Sequence, residues 1–141
     1  MRAPELLKLK AKLGLSTDGA ASNDNLDMFE AMLVTPLLQK INALDTTIIS
    51  AGDAIHMATI GGARALGLDS KVGSIEVGKE ADIIIIDGNQ PNMVPAYNIE
   101  SLIVYGAHGK DVRPTIVAGQ VLYLDGEFLT IDYDEGNCSC P

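Results

Sequence analysis

The chain has 141 residues, a formal net charge of −9 and a pI of about 4.4, so it repels phosphate backbones and anionic lipid, which argues against nucleic-acid and membrane-surface roles. Hydrophobic residues make up 47% and mean hydropathy is +0.18, enough for a packed core. With no Trp, and only Phe29 and Phe128 as phenylalanines, that core must be aliphatic. The longest purely aliphatic run, Ile83–Ile86, is far too short to span a bilayer. The start of the chain, leucines alternating with Lys8, Lys10 and Lys12, is not a signal-peptide core, so the expected compartment is the cytoplasm. Cys138 and Cys140 lie at the very end and cannot staple a fold; a Cys-x-Cys pair on a tail makes a weak metal site.

Residues 4–13 read as a short helix with Pro4 in its first turn. Lys12–Thr17 reads as a short strand ending in Thr17-Asp18-Gly19, followed by a small, polar loop over Ala20–Asn25 in which Ser22, Asp24 and Asn25 all offer helix caps. Leu26, Phe29, Leu33, Leu37, Ile41 and Leu44 recur at spacings of three and four, which predicts an amphipathic helix that Pro36 should kink or interrupt. Ser50 and Asp53 form a capping box for a helix from Ala51 to about Ile60. Gly61-Gly62 loosens it, Ala63–Leu66 resumes it and Gly67 caps it.

After Gly67 the period turns strand-like. Ser74–Val77 is expected as a strand, Gly78-Lys79 as a turn and Asp82–Ile86 as a fully buried strand. A Pro- and Asn-rich loop over Asp87–Asn98 precedes a strand at Ser101–Tyr105. Val112–Val117 and Gln120–Leu124 flank Ala118-Gly119 as a hairpin, and Asp125-Gly126 turns toward Phe128–Ile131. By pattern alone this is an α+β chain with a seam near Gly67–Gly73 and a loose tail over residues 132–141.

Three segments carry a resemblance. The stretch from Leu15 through Thr17-Asp18-Gly19 to Glu30 resembles the region after the last barrel strand in one branch of the amidohydrolase superfamily, that of methylthioadenosine/S-adenosylhomocysteine deaminases and triazine chlorohydrolases. Ala58–Leu68 is similar to the helix that follows there. Gly73-Ser74-Ile75-Glu76-Val77-Gly78-Lys79-Glu80-Ala81-Asp82 looks like the entry into the small β-sandwich of amidohydrolases generally. The resemblance implies an α/β fold: residues 1–68 would be the last strand and closing helices of a (β/α)8 metal-dependent hydrolase barrel, and 69–131 part of a small composite sandwich.

The resemblance also implies chemistry. A divalent metal, zinc in the first instance, activates water to attack a ring carbon bearing an amine or a halide. Asp18 matches the family carboxylate that contacts the metal, shuttles the proton and faces the substrate. Asn23, with Asp24 and Asn25, either lines the substrate mouth or serves as turn and cap.

The sequence departs from the family pattern elsewhere. The family's other metal ligands are histidines, yet the chain has only His56, inside a helix, and His108, in a glycine loop; neither matches a ligand position. One carboxylate does not hold a catalytic zinc, which usually takes three protein ligands. A complete barrel takes about 250 residues. The expected function is therefore the C-terminal part of a hydrolase cleaving a C–N or C–halogen bond on a nitrogen heterocycle, a deaminase of adenosine-type substrates, inactive by itself. The alternative is a non-catalytic association module. Either way the expected partner is a second copy or a separate N-terminal barrel portion. Glu76, Lys79 and Asp82 read as turn and strand-start residues, with Asp82 bonding nearby backbone.

Overall fold

The computed structural model describes residues 3–131; the tail from Asp132, with Cys138 and Cys140, lies outside the described residues. Among the described residues, five α-helices and one sheet follow in chain order. The helices are α1 (Ala3–Lys8), α2 (Met28–Ala43), α3 (Ala51–Ala58), α4 (Ile60–Leu66) and α5 (Ile99–Tyr105). The strands are β1 (Ile83–Ile86), β2 (Val112–Val117), β3 (Gln120–Leu124) and β4 (Glu127–Phe128), in the order β1-β2-β3-β4 and antiparallel throughout.

Both tight turns of the sheet have positive φ at their two central residues, 49° and 80° at Ala118-Gly119 and 48° and 102° at Asp125-Gly126. That backbone matches the right-handed twist of the flanking strands, and glycine adopts it at least cost. Asp82 accepts the Ala118 N–H at 2.8 Å and Ala81 O accepts the Gly119 N–H at 3.1 Å. Asp82 therefore braces the far hairpin turn, not the backbone near it in sequence.

Helix α2 passes through Pro36 as one element. Pro36 is buried, and the neighbouring Thr35 hydroxyl donates to Ala31 O at 2.8 Å. The face that α2 buries is Phe29, Met32 and Pro36. Leu37, Ile41 and Leu44 of the expected apolar stripe are exposed instead, because α3 and α5 pack on the other side. The capping box of α3 is present: Asp53 N–H donates to Ser50 Oγ at 3.1 Å, and Ser50 N–H to Asp53 Oδ2 at 2.8 Å. The helix breaks at Thr59, two residues before the glycine pair, and α4 ends on Gly67 in the left-handed conformation.

Several expectations are corrected. Residues 4–13 are helical only to Lys8. Lys12–Thr17 forms no strand: its one backbone tie to another element is Leu15 N–H to Met57 O at 2.9 Å, and a strand needs a neighbouring strand to pair with. Ser74–Val77 is irregular, a bend at Ser74 leading into a turn at Val77, with Ile75 and Val77 exposed, so nothing holds it as a strand. Ser101–Tyr105 belongs to α5. Its β-branched run reads as a strand, but Asn98 caps Ser101 N–H at 2.7 Å and the helical phase buries Val104 at 1% exposure. Strand β1 is expected to be fully buried, yet Ile84 and Ile85 are about half exposed, at 48% and 53%, because β1 has a strand partner on one side only and a face without cover. The last strand is Glu127–Phe128, not Phe128–Ile131.

The main core joins Phe29 and Met32 of α2, Ala51 and Ala54 of α3, Val104 of α5 and Val112 of β2. It draws on residues from both sides of position 68. A smaller cluster of Ala3, Ile49 and Met57, with Leu7, Leu13 and Leu15 against it, seats α1 and the segment leading to Asp18.

Candidate functional site

The segment Leu13–Leu15 lies against the start of α4 because three glycines make room. A Cβ on Gly14 would come within 2.8 Å of Gly62 Cα, and one on Gly61 within 2.7 Å of His56 O and 2.8 Å of Leu13 O. Met57 O, one of the end-of-helix carbonyls without an intrahelical partner, takes the Leu15 N–H. The Gly61-Gly62 pair thus seats the segment that delivers Asp18, beyond loosening a helix.

Asp18 sits at the end of that segment with φ of 64°, a left-handed conformation unusual outside glycine but tolerated by Asp and Asn. Its side chain is exposed, and Oδ1 accepts the Gly19 N–H at 2.7 Å. Ser16 Oγ accepts the Asp18 N–H at 3.2 Å, and Gly19 O accepts the N–H groups of Ser22 and Asn23, each at 2.9 Å.

Asn23 is bonded at both ends of its amide: Nδ2 donates to Thr17 O at 2.8 Å and Oδ1 accepts Asn25 N–H at 3.3 Å. Asn25 Oδ1 accepts Asp27 N–H at 2.9 Å, and Asp27 Oδ1 accepts Phe29 N–H at 2.8 Å. Three acceptors at alternate positions thus each take the N–H two residues on, the local bond that Asn and Asp side chains form readily. The Asn25 amide also donates to Glu30. Asp27, rather than Ser22, Asp24 or Asn25, is the N-cap of α2, and its Oδ2 accepts Gly109 N–H at 3.1 Å from the loop before β2. The spacing of Asn23, Asn25 and Asp27 was the available signal for this ladder. Ser16, Thr17, Asn23, Asp27 and Glu30 border a recess of about 370 Å³.

His56 is exposed on α3 beside Arg64, with 3.2 Å between His56 Nε2 and Arg64 Nη1, and His108 precedes the turn Gly109–Asp111. Among the described residues no group of three or more His, Cys, Asp or Glu side chains is placed to hold a metal ion.

Residues 1–122 match the amidohydrolase family. The chain belongs to this family. This amidohydrolase chain is 43% identical over 131 residues to the 5-methylthioadenosine/S-adenosylhomocysteine deaminase of Moorella thermoacetica, a match covering 93% of the chain and 31% of the relative. Among solved structures it superposes on an adenosine deaminase from Xanthomonas campestris with bound zinc, with a TM-score of 0.91 and 35% identity over 95% of the chain and 30% of the other. It also superposes on the atrazine chlorohydrolase of Arthrobacter aurescens complexed with zinc, with a TM-score of 0.84 and 25% identity over 94% and 30%. The chain thus spans about 30% of the length of the proteins it matches. The zinc of those structures does not fit residues 3–131 taken alone, since no three of their His, Cys, Asp or Glu side chains are grouped to hold it, and a catalytic zinc usually takes three protein ligands.

No described helix is long and apolar enough to cross a membrane.

Proposed function

We propose that this amidohydrolase chain is the C-terminal portion of a metal-dependent enzyme that hydrolyses a C–N bond on a nitrogen heterocycle, with adenosine-type nucleosides as its substrate class. In the complete enzyme residues 1–68 close the barrel, Lys12–Thr17 pairs as its last strand, and 69–131 belong to the small sandwich. A divalent metal, zinc by the two solved relatives, would be completed by ligands from outside this chain. The observation that carries the reading is the placement of Asp18: an exposed carboxylate at the end of a segment seated on glycines and held in a left-handed turn, where the Thr17-Asp18-Gly19 stretch resembles the family's.

Asp18 has a defined task in this reading. Its carboxylate accepts a proton from the attacking water and returns it to the departing ring amine, so a single group serves as base and then as acid. Positioned proton transfer of this kind contributes typically about 10²–10⁴-fold. Asn23 lines the recess together with Thr17, the residue before Asp18, while both polar atoms of its amide are bonded within the loop.

The test is to carry this chain in place of the matching third of the Moorella relative and assay deamination of methylthioadenosine. Turnover that Asp18→Asn lowers by at least about 100-fold supports the reading. An Asp18→Asn protein of undiminished activity overturns it.

A second reading is favoured by the uncovered aliphatic surface, with Leu38 at 58% and Ile41 at 70% exposure on α2 and Leu44 at 94% just after it. In it the chain is an association module. Sizing chromatography decides whether the purified chain is a monomer, which weakens this reading, or assembles.

A further inference from the structure

Asn23 holds the chain on both sides of Asp18. Its side-chain amide donates to Thr17 O at 2.8 Å, the carbonyl just before Asp18, and its main-chain N–H donates to Gly19 O at 2.9 Å, the carbonyl just after it. Asp18 sits between these two bonds at φ of 64°. Residues 18 to 26 are all exposed, so hydrogen bonds rather than packing maintain the turn. A residue in a sparsely populated conformation persists only where its surroundings over-determine it. The clamp is in turn anchored through Asn25 and Asp27 to the start of α2 and to Gly109.

We propose that Asn23 is a positioning residue for Asp18: it locks the left-handed turn that aims the carboxylate and acts through that turn, not by touching substrate. This rests on the reading of Asp18 as the proton-transfer group. Both polar atoms of the Asn23 amide already bond within the loop. Without the donor to Thr17 O the Asp18 backbone relaxes toward negative φ and its carboxylate swings away. Misplacing a reacting group by about 1 Å costs on the order of 100-fold in rate.

Asn23→Asp isolates the clamp. It keeps the shape and the acceptor for Asn25 N–H, and removes the donor to Thr17 O. Asn23→Ala guards against the effect of the added charge. In the fusion with the Moorella portion, both variants are expected to lower kcat by about 10- to 100-fold with KM within about threefold. In the 141-residue chain itself, NMR should show the Asp18 HN–Hα coupling and its carboxyl carbon shift moving in both variants, while the Phe29 amide stays in place. Unchanged kcat, a loss confined to KM, or unmoved Asp18 signals overturns the proposal. If Asp18→Asn abolishes turnover while the Asn23 variants keep it, the positioning role fails and the Asp18 reading stands. If Asp18→Asn stays active, the underlying reading fails and takes this proposal with it.

Discussion

Asp27 and Gly109, 82 residues apart, are joined by a hydrogen bond of 3.1 Å from the Gly109 N–H to the same carboxylate whose other oxygen caps α2. One side chain therefore ends the Asp18 loop, starts a helix and ties that helix to the loop that feeds β2. Asp27→Ala should cost about 1 kcal/mol for the cap alone, and more with the tie to Gly109. Asp27→Asn keeps an oxygen for the cap but turns an amide donor toward the Gly109 N–H, so it should recover only the share of the loss that belongs to the cap. Urea midpoints of the three proteins compare them, and equal midpoints for Asp27→Ala and the parent would refute the double role.

The glycine seat is steric. A methyl group at Gly61 would meet His56 O and Leu13 O at 2.7 and 2.8 Å, both backbone atoms with little freedom to yield. Gly61→Ala should destabilise by about 1–3 kcal/mol through overpacking. It should also speed hydrogen exchange at Leu15, whose N–H reaches Met57 O across the same contact. Gly19→Ala, where a Cβ meets nothing within 4 Å, is the control and should change stability far less.

Asp111 is the one charged side chain buried among the described residues, at 2% exposure. It accepts from Asn92 Nδ2 at 2.7 Å and from His108 N–H at 2.9 Å. Asp111→Ala strands the His108 N–H and removes one partner of Asn92. A buried polar group left without its partner costs about 1–3 kcal/mol, so a fall of that order in unfolding free energy is expected. Asn92→Ala should cost less, because Asp111 keeps His108. Thermal unfolding of both variants ranks them.

Asp87 couples β1 to β2 through Arg113, at 2.7 Å, with Gln90 Nε2 at 2.6 Å and Asn89 N–H at 2.9 Å on the same carboxylate. The Arg113 guanidinium, then these neighbours, hold the Asp87 carboxyl down from its ordinary 3.8 to about 2. A carboxylate with a lowered folded-state pKa favours folding above its unfolded value and loses that contribution as pH falls through the folded one. The chain should therefore weaken between about pH 4 and pH 2, and Asp87→Asn should flatten that part of the pH profile. A carboxyl carbon titration of Asp87 with a midpoint near 4 would contradict this.

Much of the local structure was legible because it depends on near neighbours. The Ser50–Asp53 capping box, the Gly67 cap, the hairpin at Ala118-Gly119 and the turn at Asp125-Gly126 each rest on residues within four positions of each other. The errors share a cause in longer-range contacts. The run Ile103-Val104-Tyr105 has strand chemistry, but the cap at Asn98 and the core against α2 and α3 make it a helix. The apolar stripe of α2 was visible, whereas the face that α2 buries depends on where α3 and α5 sit.

By itself the sequence determined the family, the helices before position 68, the hairpin at Ala118-Gly119 and the identity of Asp18 as the residue to examine, because these reside in local motifs and spacing. Only the tertiary structure decided that Gly14, Gly61 and Gly62 seat the segment before Asp18, that Asn23 brackets it, and that Asp27 binds its loop to Gly109. Close backbone approach and hydrogen bonds to main-chain atoms leave almost no mark on composition or period. They depend on which carbonyls and N–H groups folding brings within reach.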